Sequence, residues 1–228
     1  NMRRMIETFN REARRGVTHE RDLLQDTTQI SWSRNIKRRA LKGEETAFDR
    51  SRLRDALYRP FTRQTLYFDP VMNSVPGQNA KFFPSVCTPN RGFYALSPGS
   101  PKSYSVLAAD TTPDVALYGS NSGQFFPRWT YEPGPKRAES ETLFDPDGEL
   151  IDGYRRVDNI TYEALHHFRS KFGNSVSKDQ IFTYVYGVLH SSQYRERFEG
   201  DLKKMLPRIP LAKDLDDFRA FAGAGQRL

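Results

Sequence analysis

The 228-residue sequence has a single cysteine, Cys87, and lacks long apolar runs. One cysteine excludes both a disulfide framework and a cysteine-based zinc site. The longest apolar run covers residues 181–189, about half of the roughly 18 residues that a membrane span requires. We therefore expect no membrane partner. Since no apolar signal segment is found either, we expect a cytoplasmic location.

The glycine motifs that hold nucleotides are also missing from the sequence. It contains neither a G-x-x-x-x-G-K-S/T phosphate loop nor G-x-G-x-x-G, and it has no G-x-S-x-G nucleophile elbow. The histidines lack metal-binding spacing, because His166 and His167 are adjacent and point about 100° apart on a helix. We therefore assign no catalytic residue, no metal ligand and no cofactor to this segment, and whether it belongs to an enzyme stays open.

Positive charge is unevenly distributed. The net charge is +7, from 35 Lys and Arg against 28 Asp and Glu. Residues 1–63 contain 16 basic and 9 acidic residues, whereas the rest of the chain is close to neutral. A basic surface on a neutral body is typical of a polyanion binder, because Lys and Arg release the counterions condensed on phosphates. A solvated pair of helices explains the same charge, so charge alone does not decide between them.

The spacing of apolar residues predicts three regions. Helical spacing predicts a basic N-terminal helical segment. Short aromatic and β-branched runs, cut by Pro, Gly, Asn and Ser, then predict a β-rich region, and helical spacing returns at the C-terminus. We therefore expect an α+β fold in which a central antiparallel β region is flanked by N-terminal and C-terminal helices. The three regions are 1–57, 58–158 and 159–228.

Local signals predict individual elements. Ser33 is a natural N-cap for a helix over 34–42, and Ser177 with Gln180 forms a capping box that opens an apolar helix over 181–190. The pattern also predicts a short helix over 48–57 and a strand over 81–87.

Several segments, taken in order, resemble one known family. They are YRPFTRQTLYF at 58–68, QFFPRWTY at 124–131, IFTYVYGVLHS at 181–191 and LPRIPL at 206–211, with NMRRMIETFN at 1–10 and ISWS at 30–33. Together they resemble the C-terminal specificity domain, or target recognition domain, of type ISP single-polypeptide restriction-modification enzymes. The resemblance spans nearly the whole chain. Arg128 departs from it, since an aliphatic-aromatic run is expected after Pro127.

The resemblance implies that this chain recognises a double-stranded DNA sequence while other domains of the parent polypeptide do the chemistry. In the family those domains are an N6-adenine methyltransferase, a helicase-like ATPase that translocates DNA, and a nuclease. It implies S-adenosylmethionine, ATP and Mg²⁺ for the parent and none of them for this segment. The partners implied are double-stranded DNA and the methyltransferase domain of the same polypeptide.

Two other interpretations stay open. The chain could be a coupler that docks the methyltransferase and motor domains without binding DNA, with its basic patch against an acidic surface. It could also be part of the methyltransferase fold, which would require residues near a cofactor pocket.

Candidate DNA-contacting residues fall into two groups. Phosphate contacts need exposed cations, and Arg34, Lys37, Arg38 and Lys42 share one face of the helix over 34–42. Base contacts need Arg, Lys, Asn or Gln in a groove, so we look for them in the loops of the weakly charged β-rich region. The phosphate candidates are Arg34, Lys37, Arg38, Arg39, Lys42, Arg59 and Arg63. The base candidates are Asn73, Gln78, Asn79, Lys81, Asn90, Arg91, Lys102, Asn121, Gln124 and Arg128.

Overall fold

A computed structural model describes residues 1–73, 77–119, 123–134 and 148–228. Within them the chain is mixed α+β, with helices at both ends and strands in the middle, which confirms the predicted fold class. The helices are α1 Met2–Arg14, α2 Arg34–Leu41, α3 Asn79–Phe82, α4 Tyr162–Phe172, α5 Lys178–His190, α6 Ser192–Arg197, α7 Glu199–Leu202 and α8 Leu215–Arg227. The strands are β1 Leu53–Arg59, β2 Thr62–Tyr67, β3 Gly92–Leu96, β4 Val106–Ala109, β5 Thr112–Pro113, β6 Gly123–Pro127, β7 Trp129–Pro133, β8 Leu150–Ile151 and β9 Tyr154–Asp158.

The strands form three small sheets with the orders β2-β1-β5, β4-β3-β6 and β7-β9-β8. Strand β3 pairs antiparallel with both β4 and β6, placing Phe93 opposite Ala108 and Phe126. Strand β1 pairs with β5 in parallel, with Ala56 opposite Thr112. The central region is therefore mainly antiparallel, with one parallel pairing.

The chain divides into two compact units. The N-terminal unit comprises 1–55 and 65–80, and the main unit comprises 56–64 and 81–228. The β1–β2 hairpin carries the chain from one to the other. Our division into regions at 57 and 158 stays a prediction.

The N-terminal unit has a small core between its helices. Helix α1 buries Ile6 and Phe9, and α2 buries Ile36 and Ala40 in the same cluster. Asp69 is also buried; it accepts backbone hydrogen bonds from Val71 and Met72, both at 2.8 Å, and is ion-paired with Arg52. Every buried polar group needs such partners, so this carboxylate is a structural one.

The main unit is organised around the apolar helix α5. Its capping box is present, with the Ser177 side chain accepting from the backbone N–H of Gln180 and the Gln180 side chain accepting from that of Ser177, as predicted. The Tyr184 ring lies 5.0 Å from the Phe218 ring of α8, and the Phe182 ring lies 5.4 Å from the Phe93 ring of β3. Helix α5 therefore joins the C-terminal helices to the central sheet.

Two predicted elements are wrong. The segment predicted as a helix over 48–57 is a short 3-10 turn followed by β1. The segment predicted as a strand over 81–87 contains the end of α3 and then a loop. In both cases contacts beyond one helical turn accompany the observed conformation: β1 pairs with β2 and β5, and the carbonyl of Phe82 accepts a hydrogen bond from Asn90.

Candidate nucleic-acid interface

Helix α2 presents a basic face because its opposite face is packed. The side chain of Ser33 accepts a hydrogen bond from the backbone N–H of Ile36 at 3.3 Å, which fixes the start of the helix. Ile36 and Ala40 are buried, so positions 34, 38 and 42 point outward. Arg34, Arg38 and Lys42 are exposed, and no ion pair holds any of them within the described part of the chain.

Two other predicted phosphate contacts on this segment already have acidic partners. Lys37 Nζ lies 3.4 Å from Glu20 Oε2, and Arg39 donates to Glu44 at 2.7 Å. Both basic side chains are half-buried. The charges of Lys37 and Arg39 are therefore partly neutralised. Of the phosphate contacts predicted on this helix, Arg34, Arg38 and Lys42 remain available to bind an anion from outside the chain. We call these three residues the α2 basic face.

Arg59 and Arg63 flank the tip of the β1–β2 hairpin, and each faces a carboxylate. Arg59 lies 3.7 Å from Asp114 and stacks on Tyr58 at 4.0 Å. Arg63 lies 2.7 Å from Asp110. The two arginines at the hairpin tip thus each have an acidic partner, unlike the residues of the α2 basic face.

Arg128, a predicted base contact, lies inside the main unit. Only 6% of its side chain is exposed. It lies between the end of β6 and the start of β7. Its side chain binds two carboxylates, donating from Nε to Asp179 at 2.8 Å and also contacting Asp158. Its guanidinium lies 4.9 Å from the Trp129 ring. Arg128 therefore joins the sheet edge to the start of α5, and it has no side-chain surface to offer a base.

Asn90 is also an internal residue. It is buried, and its amide donates to the carbonyls of Phe82 and Trp129, both at 2.8 Å. Its side-chain oxygen accepts from the backbone N–H of Arg91 at 2.9 Å and of Trp129 at 3.3 Å. Its side-chain hydrogen bonds tie the loop that carries it to α3 and to β7.

Arg91 is partly exposed and held in place. It pairs with Asp179 at 3.0 Å, and its guanidinium lies 5.7 Å from Trp129 and 5.8 Å from Phe182. Its Nε is buried without a hydrogen-bond partner within the described residues. Since 38% of the Arg91 side chain is exposed, the outer part of the guanidinium, and not the buried Nε, can meet an acceptor at the surface of the β-rich region.

The remaining base candidates differ in their exposure and in whether their side chains already have hydrogen-bond partners. Asn73 accepts from the backbone N–H of Asp69 at 2.6 Å, and Lys102 donates to the carbonyl of Tyr118. Asn79 is half-buried at the start of α3, and Asn121 lies outside the described residues. Gln78, Lys81 and Gln124 are exposed, and their side chains make no hydrogen bond or ion pair with other parts of the chain that the structure describes.

Lys81 and Gln124 lie on neighbouring elements. The end of α3 packs against β6, because the Phe82 and Phe83 rings lie 5.8 and 5.7 Å from Phe125. Both polar side chains are exposed beside this aromatic contact. With Arg91, they are the base candidates among the described residues of the main unit whose side chains remain exposed or partly exposed without being fully engaged.

The acidic partners Asp158 and Asp179 were not predicted from the sequence. Burial acts to raise the pKa of Asp158, but hydrogen bonds and charge from Arg128 and Lys178 hold that pKa below its usual range. Burial likewise acts to raise the pKa of Asp179, and Arg128 and Arg91 together lower it. These aspartates lie 30 and 51 residues from Arg128, so sequence spacing carried no signal for them.

The described residues contain no group of three or more His, Cys, Asp or Glu side chains placed to hold a metal ion. Likewise, no helix within the described ranges has the length and apolar character needed to cross a bilayer.

Comparison with solved structures gives relatives that cover 99% of this chain. A nuclease-deletion mutant of the Type ISP restriction-modification enzyme LlaGI, in complex with a DNA substrate mimic, is 30% identical with a TM-score of 0.75. The ATP-dependent Type ISP enzyme LlaBIII bound to DNA is 26% identical with a TM-score of 0.79. A DrdV–DNA complex is 25% identical with a TM-score of 0.80. The chain spans 16%, 13% and 20% of these three chains, in that order.

No curated protein sequence matches the chain. The family described as the Type ISP C-terminal specificity domain matches it over residues 1–228. The match covers every segment on which the resemblance was based, and the chain therefore belongs to the Type ISP C-terminal specificity domain family.

Proposed function

We propose that this chain is the double-stranded DNA recognition domain of a restriction-modification enzyme. The α2 basic face carries the proposal, because it places three exposed cations, without acidic partners among the described residues, on one side of a capped helix. Such cations suit the regular phosphates of a duplex and hold a protein in register without reading sequence. The family and the DNA complexes formed by LlaGI, LlaBIII and DrdV support the same function.

Sequence is read by a different group of residues in this proposal. Arg91, Lys81 and Gln124 are exposed or partly exposed donors in the main unit, and Arg and Gln are side chains that pair with guanine and adenine edges in the major groove. Gln78 is the free candidate in the N-terminal unit. Arg128 and Asn90 are left out because their hydrogen-bonding groups are used inside the main unit.

The parent polypeptide supplies the chemistry. We place N6-adenine methylation, ATP-dependent translocation and cleavage in its other domains, together with S-adenosylmethionine, ATP and Mg²⁺. The methyltransferase domain is the proposed protein partner, and the cytoplasm, where such an enzyme meets DNA, is the proposed location.

A salt titration of DNA binding tests the proposal. We expect the affinity of the chain for duplex DNA to fall steeply as salt rises. Replacing Arg34, Arg38 and Lys42 by Glu is expected to lower the affinity more than about tenfold. It should also reduce the salt slope, which is the slope of log affinity against log salt concentration, by about 3, since each phosphate contact contributes about 0.9 to that slope. Fluorescence anisotropy with a labelled duplex measures both quantities.

A matched variant controls for the change in total charge. Lys204, Lys213 and Arg219 are also exposed and make no ion pair in the described part of the chain. Changing these three to Glu alters the net charge equally but should leave the salt slope nearly unchanged. Equal losses in both variants would show that overall charge, and not the α2 basic face, binds DNA. No binding by the wild-type chain would favour the coupler function.

A further inference from the structure

The guanidinium of Arg91 is held from several sides. Its Nη2 donates to Asp179 Oδ1 at 3.0 Å, and the guanidinium lies 5.7 Å from the Trp129 ring and 5.8 Å from the Phe182 ring. The backbone is fixed as well, because the carbonyl of Arg91 accepts from the backbone N–H of Arg128 at 2.7 Å. A free arginine loses much rotamer entropy when it binds, and one that is already oriented loses less. Arg91 is therefore preorganised for binding.

Asp179 is in turn held by the interior of the main unit. The same Oδ1 that accepts from Arg91 also accepts from Arg128 Nε at 2.8 Å. Arg128 is almost fully buried and also contacts Asp158, which accepts from Lys178 at 2.9 Å. Asp179 thus links Arg91 to a buried network of ion pairs, and the direction of the Arg91 side chain depends on that network.

Arg91 keeps donors that this network does not use. A guanidinium carries five N–H groups, and Nη1 of Arg91 makes no hydrogen bond among the described residues. Its side chain is 38% exposed, against 6% for Arg128. Arg91 therefore combines a fixed orientation with terminal N–H groups that a ligand can reach, whereas Arg128 serves the interior alone.

The charge beside Arg91 favours a base over a phosphate. Asp179 is 54% exposed and lies 3.0 Å from Nη2 of Arg91, so a phosphate approaching this guanidinium also meets a carboxylate of its own sign. The α2 basic face has no acidic partner of this kind among the described residues. A base edge is uncharged and is not repelled. Guanine suits this site best, because it presents two neighbouring acceptors, N7 and O6, in the major groove to a side chain that can only donate.

We propose that Arg91 reads a guanine of the target duplex with its terminal nitrogens, and that Asp179, anchored by Arg128, is the positioning residue that orients it. The inference rests on the proposed function and deepens it, since it names the base read by one member of the base-reading set. Arg128 then influences sequence preference without touching DNA.

The preference for each base along the target tests the role of Arg91. The best duplex is first selected from a random pool with the wild-type chain, and each of its positions is then changed to the other three base pairs. In Arg91→Ala, the preference for guanine at one position should fall about 5- to 150-fold, the usual discrimination of a bidentate base contact. The preferences at the other positions and the salt slope should stay unchanged.

A double substitution tests the role of Asp179. Asp179→Ala should lower the same guanine preference at least about twofold, and it should have no further effect in the Arg91→Ala background, because the two residues act as one unit. Each preference is a ratio of affinities measured on one protein sample, so a partly unfolded fraction cancels. Glu132→Ala is the matched control: it removes a carboxylate that is also 54% exposed and also paired with an arginine, Arg155. This control should leave every preference unchanged.

Failure of this inference can be told from failure of the proposed function. If the wild-type chain selected no sequence, both would fall. A selected sequence whose preferences are all unchanged in Arg91→Ala would overturn the inference alone. A uniform loss on every duplex, with a salt slope smaller by about 1, would make Arg91 a phosphate contact and overturn it too. An unchanged guanine preference in Asp179→Ala, or an equal loss in Glu132→Ala, would overturn the positioning role.

Discussion

Arg128 illustrates how a single residue can be misinterpreted from sequence. It lies in a weakly charged β-rich segment, where an arginine is a reasonable base contact. The structure buries it between Asp158 and Asp179, two residues that no spacing rule connects to it. Ser33, by contrast, was predicted correctly because an N-cap depends on residues within one helical turn.

Removing this arginine should destabilise the main unit. Arg128→Met keeps much of the side-chain volume but leaves Asp158 and Asp179 without their shared donor. We expect a loss of about 2–3 kcal/mol in unfolding free energy at neutral pH, since hydrogen bonds to charged groups contribute about 1.5–3 kcal/mol. Urea denaturation followed by circular dichroism measures it.

The pH dependence identifies the cause of that loss. The pKa values of Asp158 and Asp179 are lowered in the folded state, so their ion pairs add stability above the unfolded pKa of about 3.9. This contribution disappears as the pH falls through the folded pKa values, and the difference between wild type and Arg128→Met should shrink there. Arg155→Met, which removes a surface pair with Glu132, is the control and should cost less than about 1 kcal/mol. An equal loss at neutral pH and at a pH below the folded pKa values of both aspartates would point to packing alone.

At the scale of elements, sequence succeeded where the signal is local. The capping box of α5 and the cap of α2 involve neighbours in the chain, and both helices have the cap residues that were predicted. The second half of the predicted helix over 48–57 belongs to β1, which pairs with β2 and with β5 from another part of the chain. Helical spacing in a short segment cannot compete with such a partner, since propensity is a weak preference that tertiary contacts override.

The packing of α5 against α8 depends on two glycines. A Cβ at Gly225 would overlap the carbonyl oxygen of Thr183 and lie 2.8 Å from the backbone nitrogen of Gly187. Gly225→Ala must therefore push the helices apart, and we expect a loss of about 1–3 kcal/mol in unfolding free energy, the usual cost of overpacking. Thermal and urea denaturation measure this loss.

The matched control lies on the same helix. A Cβ at Gly223 meets only the end of the Arg227 side chain, at 3.5 Å. Gly223→Ala should therefore leave stability unchanged or raise it by up to about 1 kcal/mol, because alanine is the better helix former. If both variants behaved alike, helix propensity rather than close backbone contact would govern this interface.

At the scale of the whole molecule, the sequence predicted where the excess positive charge lies but not which basic side chains are left without an acidic partner among the described residues. The first 63 residues hold 16 basic side chains, and the charge count treats all of them alike. The structure pairs Lys37 with Glu20 and Arg39 with Glu44, leaving Arg34, Arg38 and Lys42 open. Pairing depends on which loop folds beside a helix, so composition predicts the sign of a surface better than its individual contacts.

The proposed function assigns phosphate binding and base reading to different residues, and these should be separable by mutation. Gln124→Ala removes an exposed amide of β6 that has no partner in the described chain. We expect the preference of the chain for its best duplex, first selected from a random pool with the wild-type protein, to fall by about 1–3 kcal/mol. The salt slope should stay unchanged, because a base contact releases no condensed counterion.

The variant of the α2 basic face is the natural counterpart in this experiment. It should weaken binding to every duplex by a similar factor and lower the slope, while the order of preferred sequences stays the same. Anisotropy titrations of both variants on the selected duplex and on a scrambled duplex, at several salt concentrations, measure the sequence preference and the salt slope of each variant. A changed slope in Gln124→Ala would make Gln124 a phosphate-side residue. An unchanged preference would remove it from the base-reading set and leave that role to Arg91, Lys81 and Gln78.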